Sequence, residues 1–250
     1  MADFLRIEGL AKDFGGVHAV AGLDLTLRAD ELMTLIGPNG CGKTTLFNLI
    51  TGVLRPTAGS VRLGEHDLTH LPSHRIARLG VGRKFQVPSV YDDLSVEENL
   101  DVALHAAAGR DGLSGLWRGG PPPLGRRVEN LDAVRLADRR QVEAGQLSHG
   151  QKQWLEIGMV LATRPRLVLL DEPTAGMTRG ETLATVELIK SLHREHGLAL
   201  IVIEHDMHFV ETLDCRVAVM MAGRLIADGA FADVRGLEAV RQAYLGEAHA

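Results

Sequence analysis

An α/β fold is expected from this chain, with antiparallel strands at its N-terminus and a helical block inserted into the second half. Three observations lead there. The apolar runs Leu32–Ile36, Leu167–Leu170 and Leu198–Ile203 are separated by helical stretches, as buried parallel strands are. Leu32–Ile36 passes through Gly37-Pro-Asn-Gly-Cys-Gly-Lys-Thr44 into Leu46–Ile50, whose apolar residues recur at helical spacing. Ahead of it, Phe4–Leu10 and Leu23–Leu27 alternate like half-buried antiparallel strands.

The glycine-rich stretch has the strand-loop-helix setting that phosphate binding requires. Its glycines let the backbone curl round an anion, so Asn39, Gly40, Cys41 and Gly42 would offer N–H groups at a helix N-terminus. Lys43 would reach the outer phosphates, Thr44 would place its hydroxyl on a magnesium ion, and Thr45 follows directly. A second constellation fits the first: Leu167–Leu170 ends in Asp171-Glu172. After a buried strand downstream of a phosphate loop, Asp171 would hold magnesium and Glu172 would polarise an attacking water. Leu198–Ile203 ends in Glu204-His205, which puts His205 at the same sheet edge as a candidate sensor of the terminal phosphate.

The remaining elements follow in order. Phe14 lies in a glycine-flanked turn between the first strands, where it either packs in the core or stacks on a base. Gly59–Gly64 and Gly80–Phe85 read as short strands, with a helix over Ser73–Leu79 between them; Gln86 follows the second strand, and Pro88 keeps the chain extended. Ser95 and Glu98 form a capping box for a helix through Leu104. Gly109–Arg127 contains Pro121-Pro-Pro123 and reads as a loop, in which Trp117 either anchors the loop or meets a partner. Val128–Arg135 is helical again. Leu147-Ser-His-Gly-Gln151 opens a helix over Lys152–Thr163, with Ser148 as cap. Glu181–Glu195 is amphipathic, with Leu183, Val186, Ile189 and Leu192 on its apolar face. Val217–Ala227 reads as a hairpin and Leu237–Leu245 as a helical tail.

Composition narrows the classes. The formal net charge of -5 argues against a nucleic-acid surface, since affinity for phosphate backbones comes from Lys and Arg. The two cysteines, Cys41 and Cys215, give no disulfide framework and fit a reducing compartment. No apolar run reaches membrane-spanning length and the N-terminus lacks a signal-peptide pattern, so work at a membrane would need a partner.

Taken together, these motifs resemble the nucleotide-binding subunits of ATP-binding cassette (ABC) transporters, with Leu147-Ser-His-Gly-Gln151 matching the family's LSGGQ signature. The resemblance covers the whole chain. It implies one ABC ATPase domain over 1–250: a RecA-like P-loop core with its antiparallel β subdomain (1–94 and 164–250) and a helical subdomain (95–163). It implies ATP and Mg²⁺ as ligands, Glu172 as catalytic base, His205 as switch histidine, Gln86 on the magnesium and the lytic water, and Phe14 on the adenine. It also implies a head-to-tail dimer in which Ser148, Gly150 and Gln151 close on ATP held by the other subunit. The partners would be integral-membrane permease subunits, a second and different ATPase subunit, and, indirectly, a periplasmic solute-binding protein. The place of work would be the cytoplasmic face of the inner membrane.

Two positions depart from the family pattern: His149 replaces the first signature glycine, and Thr178 stands where many members carry Asp. If His149 needed positive φ, it would be strained. With Gly82–Tyr91 and Glu204-His-Asp-Met207, these departures resemble the branched-chain amino acid and urea importer group, most closely its urea-type subunits. The expected function is import of urea or short amides, with branched-chain amino acid import or lipid and lipopolysaccharide export as alternatives. Tandem cassettes, zinc modules and long coiled-coil insertions, typical of relatives acting on nucleic acid, are missing from the sequence.

Overall fold

The computed structural model describes residues 4–84, 90–108, 124–238 and 240. Two sheets form the frame. The first contains β1 (Leu5–Phe14), β2 (Val17–Leu27), β4 (Ala58–Leu63) and β5 (His66–Asp67), antiparallel in the order β2-β1-β4-β5. The expected N-terminal strands are there but longer: Gly9, at φ 53°, lies within β1 at a shift in register, bending the strand where an end was expected.

The second sheet runs β10-β9-β3-β8-β7-β6. Its strands β3 (Leu32–Ile36), β6 (Val81–Lys84), β7 (Leu167–Asp171), β8 (Ala199–Ile203) and β9 (Arg216–Met221) are parallel, and β10 (Arg224–Ala230) closes the edge as a hairpin with β9. Every residue of β3, β7 and β8 is buried, which explains their unbroken apolar sequence. Alternate side chains supply two cores. Leu167, Leu169, Ile201 and Ile203 join the first sheet and Phe47 of α1 (Lys43–Ile50). Val168, Leu170, Leu200 and Val202 face Val186, Leu188 and Ile189 of α6 (Arg179–His196).

Between β6 and β7 stand α3 (Val96–Ala108), α4 (Leu124–Ala133) and α5 (His149–Leu161). The Ser95–Glu98 capping box is formed, with each backbone N–H given to the other's side chain. Gly158 of α5 lies against Leu100 and Val134 at a distance suited to a residue without Cβ. Trp154 Nε1 donates to Thr185 Oγ1 at 2.9 Å and ties α5 to α6.

Some expectations need correcting. The loop placed over 109–127 gives way to helix at Leu124, four residues early, because the polar 124–127 segment continues the helix expected from Val128. Leu183 is 39 % exposed; Thr182 and Thr185 take the inner face of α6 because they lie in register with Val186 and Ile189. Phe14 ends β1 and is not itself in the turn. The helices α2 (Ser73–Arg78) and α7 (Met207–Leu213) are short; the second went unread although Asp206 caps it, accepting from the His208 N–H. A third, α8 (Phe231–Val234), precedes the tail, of which residues 241–250 lie outside the described part, as do Trp117 and Pro121–Pro123.

Lys84 at the end of β6 is buried and pairs at 3.6 Å with Glu156 of α5. Burial pulls its pKa below the usual lysine range, opposed by the charge of Glu156. Removing one member leaves an uncompensated buried charge. Lys84→Met is therefore expected to destabilise the fold by about 3–5 kcal/mol in a urea titration, with Glu156→Leu added in the same chain restoring most of it.

Candidate functional site

The parallel strands of the second sheet end along one edge. Register pairs Leu35 with Ile203 and Ile203 with Asp171, so the residues following β3, β8 and β7 emerge side by side. Gln86 and its neighbours 85–89, which follow β6, lie outside the described residues.

After β3 the chain turns through Gly37, Gly40 and Gly42, at φ 153°, 75° and 107°. A Cβ at Gly42 would collide with the carbonyl of Ala19 on β2, and one at Gly37 with that of Met220 on β9. Glycine is required at both on two counts, backbone angle and space. Gly42 caps α1 without a side-chain hydrogen bond, leaving the first N–H groups of α1 to an incoming anion. Lys43 is buried, and its ammonium donates to the carbonyls of Gly37 and Pro38 at 2.6 and 2.9 Å. Thr44 is exposed, Thr45 half-buried and Asn39 exposed at the loop. Cys41 is buried 3.8 Å from Lys43 Nζ; burial pushes its thiol up, so it stays protonated and inert.

Asp171 is buried and accepts from Arg83 Nη2 at 2.9 Å, and Arg83 Nη1 donates to Asn48 of α1 at 2.7 Å. One guanidinium thus joins β6, β7 and the phosphate-loop helix. Glu172 has φ 46°, a left-handed backbone that costs about 1–3 kcal/mol for a residue with a Cβ. Its N–H donates to the carbonyl of Ile203 at 3.0 Å, and its carboxylate lies 3.8 Å from the His205 ring. His205 is over half exposed at the open edge. Beneath it Glu204 is buried and accepts from the N–H and hydroxyl of Thr174 at 3.0 and 2.6 Å and from the His205 N–H. Burial pushes the Glu204 carboxyl up, against the pull of those donors. Phe14 is 45 % exposed, with Lys12 over its ring at 5.1 Å, so it does not pack in the core. It pairs with Val17, two residues from the Ala19 carbonyl that touches Gly42.

Ser148 and Gly150 lie against Glu181 at their own α6 start, while Gln151 stays within the first turn of α5. Ser148 caps α5 in a full capping box with Gln151. Its hydroxyl donates to Glu181 Oε1 at 2.9 Å. Thr178 caps α6 in the same way with Glu181. His149 starts α5 at a helical position free of the strain expected if φ were positive. Its Nε2 lies 2.8 Å from the Ala175 carbonyl, which fixes the Nε2–H tautomer and leaves that nitrogen unable to accept from Gln153. Sequence reading missed Arg83, Glu204 and Glu181. Only the Thr178-x-x-Glu181 spacing gave a local signal, that of the cap.

A glycine phosphate loop after β3, with an acidic pair at the end of β7, beyond β8 in the same sheet, defines a P-loop nucleoside triphosphatase. The model of the family described as "ABC transporter" matches residues 20–175, and the chain belongs to that family: it is an ABC ATPase, which couples ATP hydrolysis to transport. It is 39 % identical over 253 residues, 98 % of each chain, to the high-affinity branched-chain amino acid transport ATP-binding protein BraF of Pseudomonas aeruginosa. It is 38 % identical over 250 residues, again 98 % of each, to the corresponding LivG of Escherichia coli. The lipopolysaccharide export system ATP-binding protein LptB of Escherichia coli is 32 % identical, with 97 % of each chain covered. Among solved structures, the ADP conformation of an ATP-binding cassette of an ABC transporter superposes with a TM-score of 0.85 at 29 % identity, covering 98 % of this chain and 100 % of that one.

ATP and Mg²⁺ are the ligands of this family fold. Among the described residues no three His, Cys, Asp or Glu side chains form a metal cage. Magnesium suits the Thr44 hydroxyl and the Asp171 carboxylate, because it binds through one or two carboxylates together with phosphate oxygens.

Proposed function

We propose that this chain powers uptake of a small nitrogenous solute through separate membrane subunits, and that a branched-chain amino acid is the solute. The sheet edge supports the catalytic part: Lys43, Asp171, Glu172 and His205 reach it from three strand ends. The branched-chain names of BraF and LivG support the solute. Urea is the second reading, favoured by His149, Thr178 and Glu204-His-Asp-Met207.

In this reading the backbone of Asn39–Gly42 cradles the phosphates, Lys43 and Thr45 contact their outer oxygens, and Phe14 stacks on the adenine. Thr44, Asp171 and Gln86 hold magnesium, which neutralises phosphate charge. Glu172 takes the proton of the attacking water; His205, beside it, orients the carboxylate and meets the terminal phosphate. Ser148, Gly150 and Gln151 close on ATP held by a second ATPase subunit, itself a different chain. The division into 1–94 with 164–250 and 95–163 lets the signature helix α5 move as a body.

Among the described residues no helix is long and apolar enough to cross a membrane, so contact with the permeases runs through a surface. A cavity of about 350 Å³ lined by Val53, Ile76, Ala103, Met159 and Val160 opens beside Lys84 and Glu156, and the permeases dock there on the cytoplasmic face. Co-purification from the native membrane is expected to bring two permeases and a second ATPase. In the reconstituted complex, binding protein loaded with leucine is expected to stimulate ATP hydrolysis and urea to leave it unchanged. Stimulation by urea alone reverses the two solute readings, and recovery of lipid-export machinery overturns both.

A further inference from the structure

The signature donors already hold an anion, supplied by the chain itself. Glu181 Oε1 accepts from the Ser148 hydroxyl at 2.9 Å, and the Gly150 N–H is directed at the same carboxylate. So close is Glu181 that a Cβ on Gly150 would stand 2.9 Å from Oε1. The other oxygen, Oε2, accepts from the N–H and hydroxyl of Thr178 at 3.0 and 2.9 Å. The carboxylate is thereby pinned between the start of α6 and the start of α5.

We propose that Glu181 competes with the terminal phosphate of ATP for Ser148 and Gly150, and so sets the ATP concentration at which the site closes. The inference rests on the proposed dimer, in which those two groups face the partner's nucleotide. A carboxylate and a phosphate oxygen are both charge-assisted acceptors and ask for the same donors. Closure must move Ser148 off Glu181 before it can bind phosphate, and that exchange raises the ATP requirement. Thr178 belongs to the same device. Its hydroxyl donates to Glu181, whereas an ionised Asp at 178 has no proton to donate and would repel the carboxylate. The Thr178 departure thus selects the pinned arrangement, and it pairs with His149, whose ring holds the Ala175 carbonyl of the same loop.

The test uses the transport complex as isolated, with ATP hydrolysis followed against ATP concentration. Glu181→Gln keeps the size and the cap but replaces the charged acceptor with a neutral amide. The apparent KM for ATP is expected to fall about fivefold, the effect of weakening one charge-assisted bond by ~1 kcal/mol. With Ser148→Ala also in place, the same Glu181→Gln change is expected to lower KM by much less than fivefold, since only the Gly150 N–H is left to contest. A purely structural cap, which Gln also completes, predicts an unchanged KM and an unchanged melting temperature in Glu181→Gln, and an unchanged or raised KM overturns the competition. Failure of the underlying dimer reading looks different: Ser148→Ala alone would then leave turnover intact.

Discussion

Glu172→Gln is expected to bind ATP as tightly as the parent chain while hydrolysing it at least a hundredfold more slowly. The amide keeps the shape of the side chain and the backbone at φ 46°, but it has no lone-pair base of useful strength. General base catalysis contributes typically 10²–10⁴ in rate, so most of the turnover should disappear while binding energy is untouched. With hydrolysis blocked, the phosphate linking the two subunits persists, and a closed dimer should accumulate with ATP in size-exclusion chromatography. Single-turnover hydrolysis measured beside equilibrium nucleotide binding separates the two effects. Parent-like turnover in this variant would show that another group takes the proton.

Lys43→Ala is expected to act on the other quantity, affinity. The buried ammonium now donates to the carbonyls of Gly37 and Pro38, and in the proposed complex it would exchange them for phosphate oxygens. Deleting it removes one charge-assisted hydrogen bond, worth about 1.5–3 kcal/mol, which corresponds to roughly 10–150-fold in Kd. Titration with a fluorescent ATP analogue measures it. The folded state should lose some stability as well, because Gly37 is buried and its carbonyl is left without that donor; a melting curve measures this part apart from the loss of binding.

The strongest parts of this molecule could be read from short segments of chain. The phosphate loop and Asp171-Glu172 were legible because each chemistry demands particular residues at fixed spacing beside a buried strand. Gly197, at φ 60°, ends α6 in the left-handed conformation that glycine takes at a helix C-terminus. What escaped was non-local. Arg83 looks like a stray charge in a strand until the fold sets it between Asn48 and Asp171, 35 and 88 residues away. Leu183 followed the helical period yet faces out, because hydrophobic spacing gives a stripe without saying where the stripe is centred. His149 seemed a compromise in a glycine position, and only the nearness of the Ala175 carbonyl shows what the ring reaches.

The left-handed backbone at Glu172 has a consequence for how this chain can change. Glycine at 172 would relax the turn and lift the melting temperature, but it would also remove the carboxylate proposed as the base. Selection for heat resistance and selection for turnover therefore pull this one position in opposite directions. A more durable version of the protein has to find its extra stability elsewhere, in the helices and surface loops away from the end of β7.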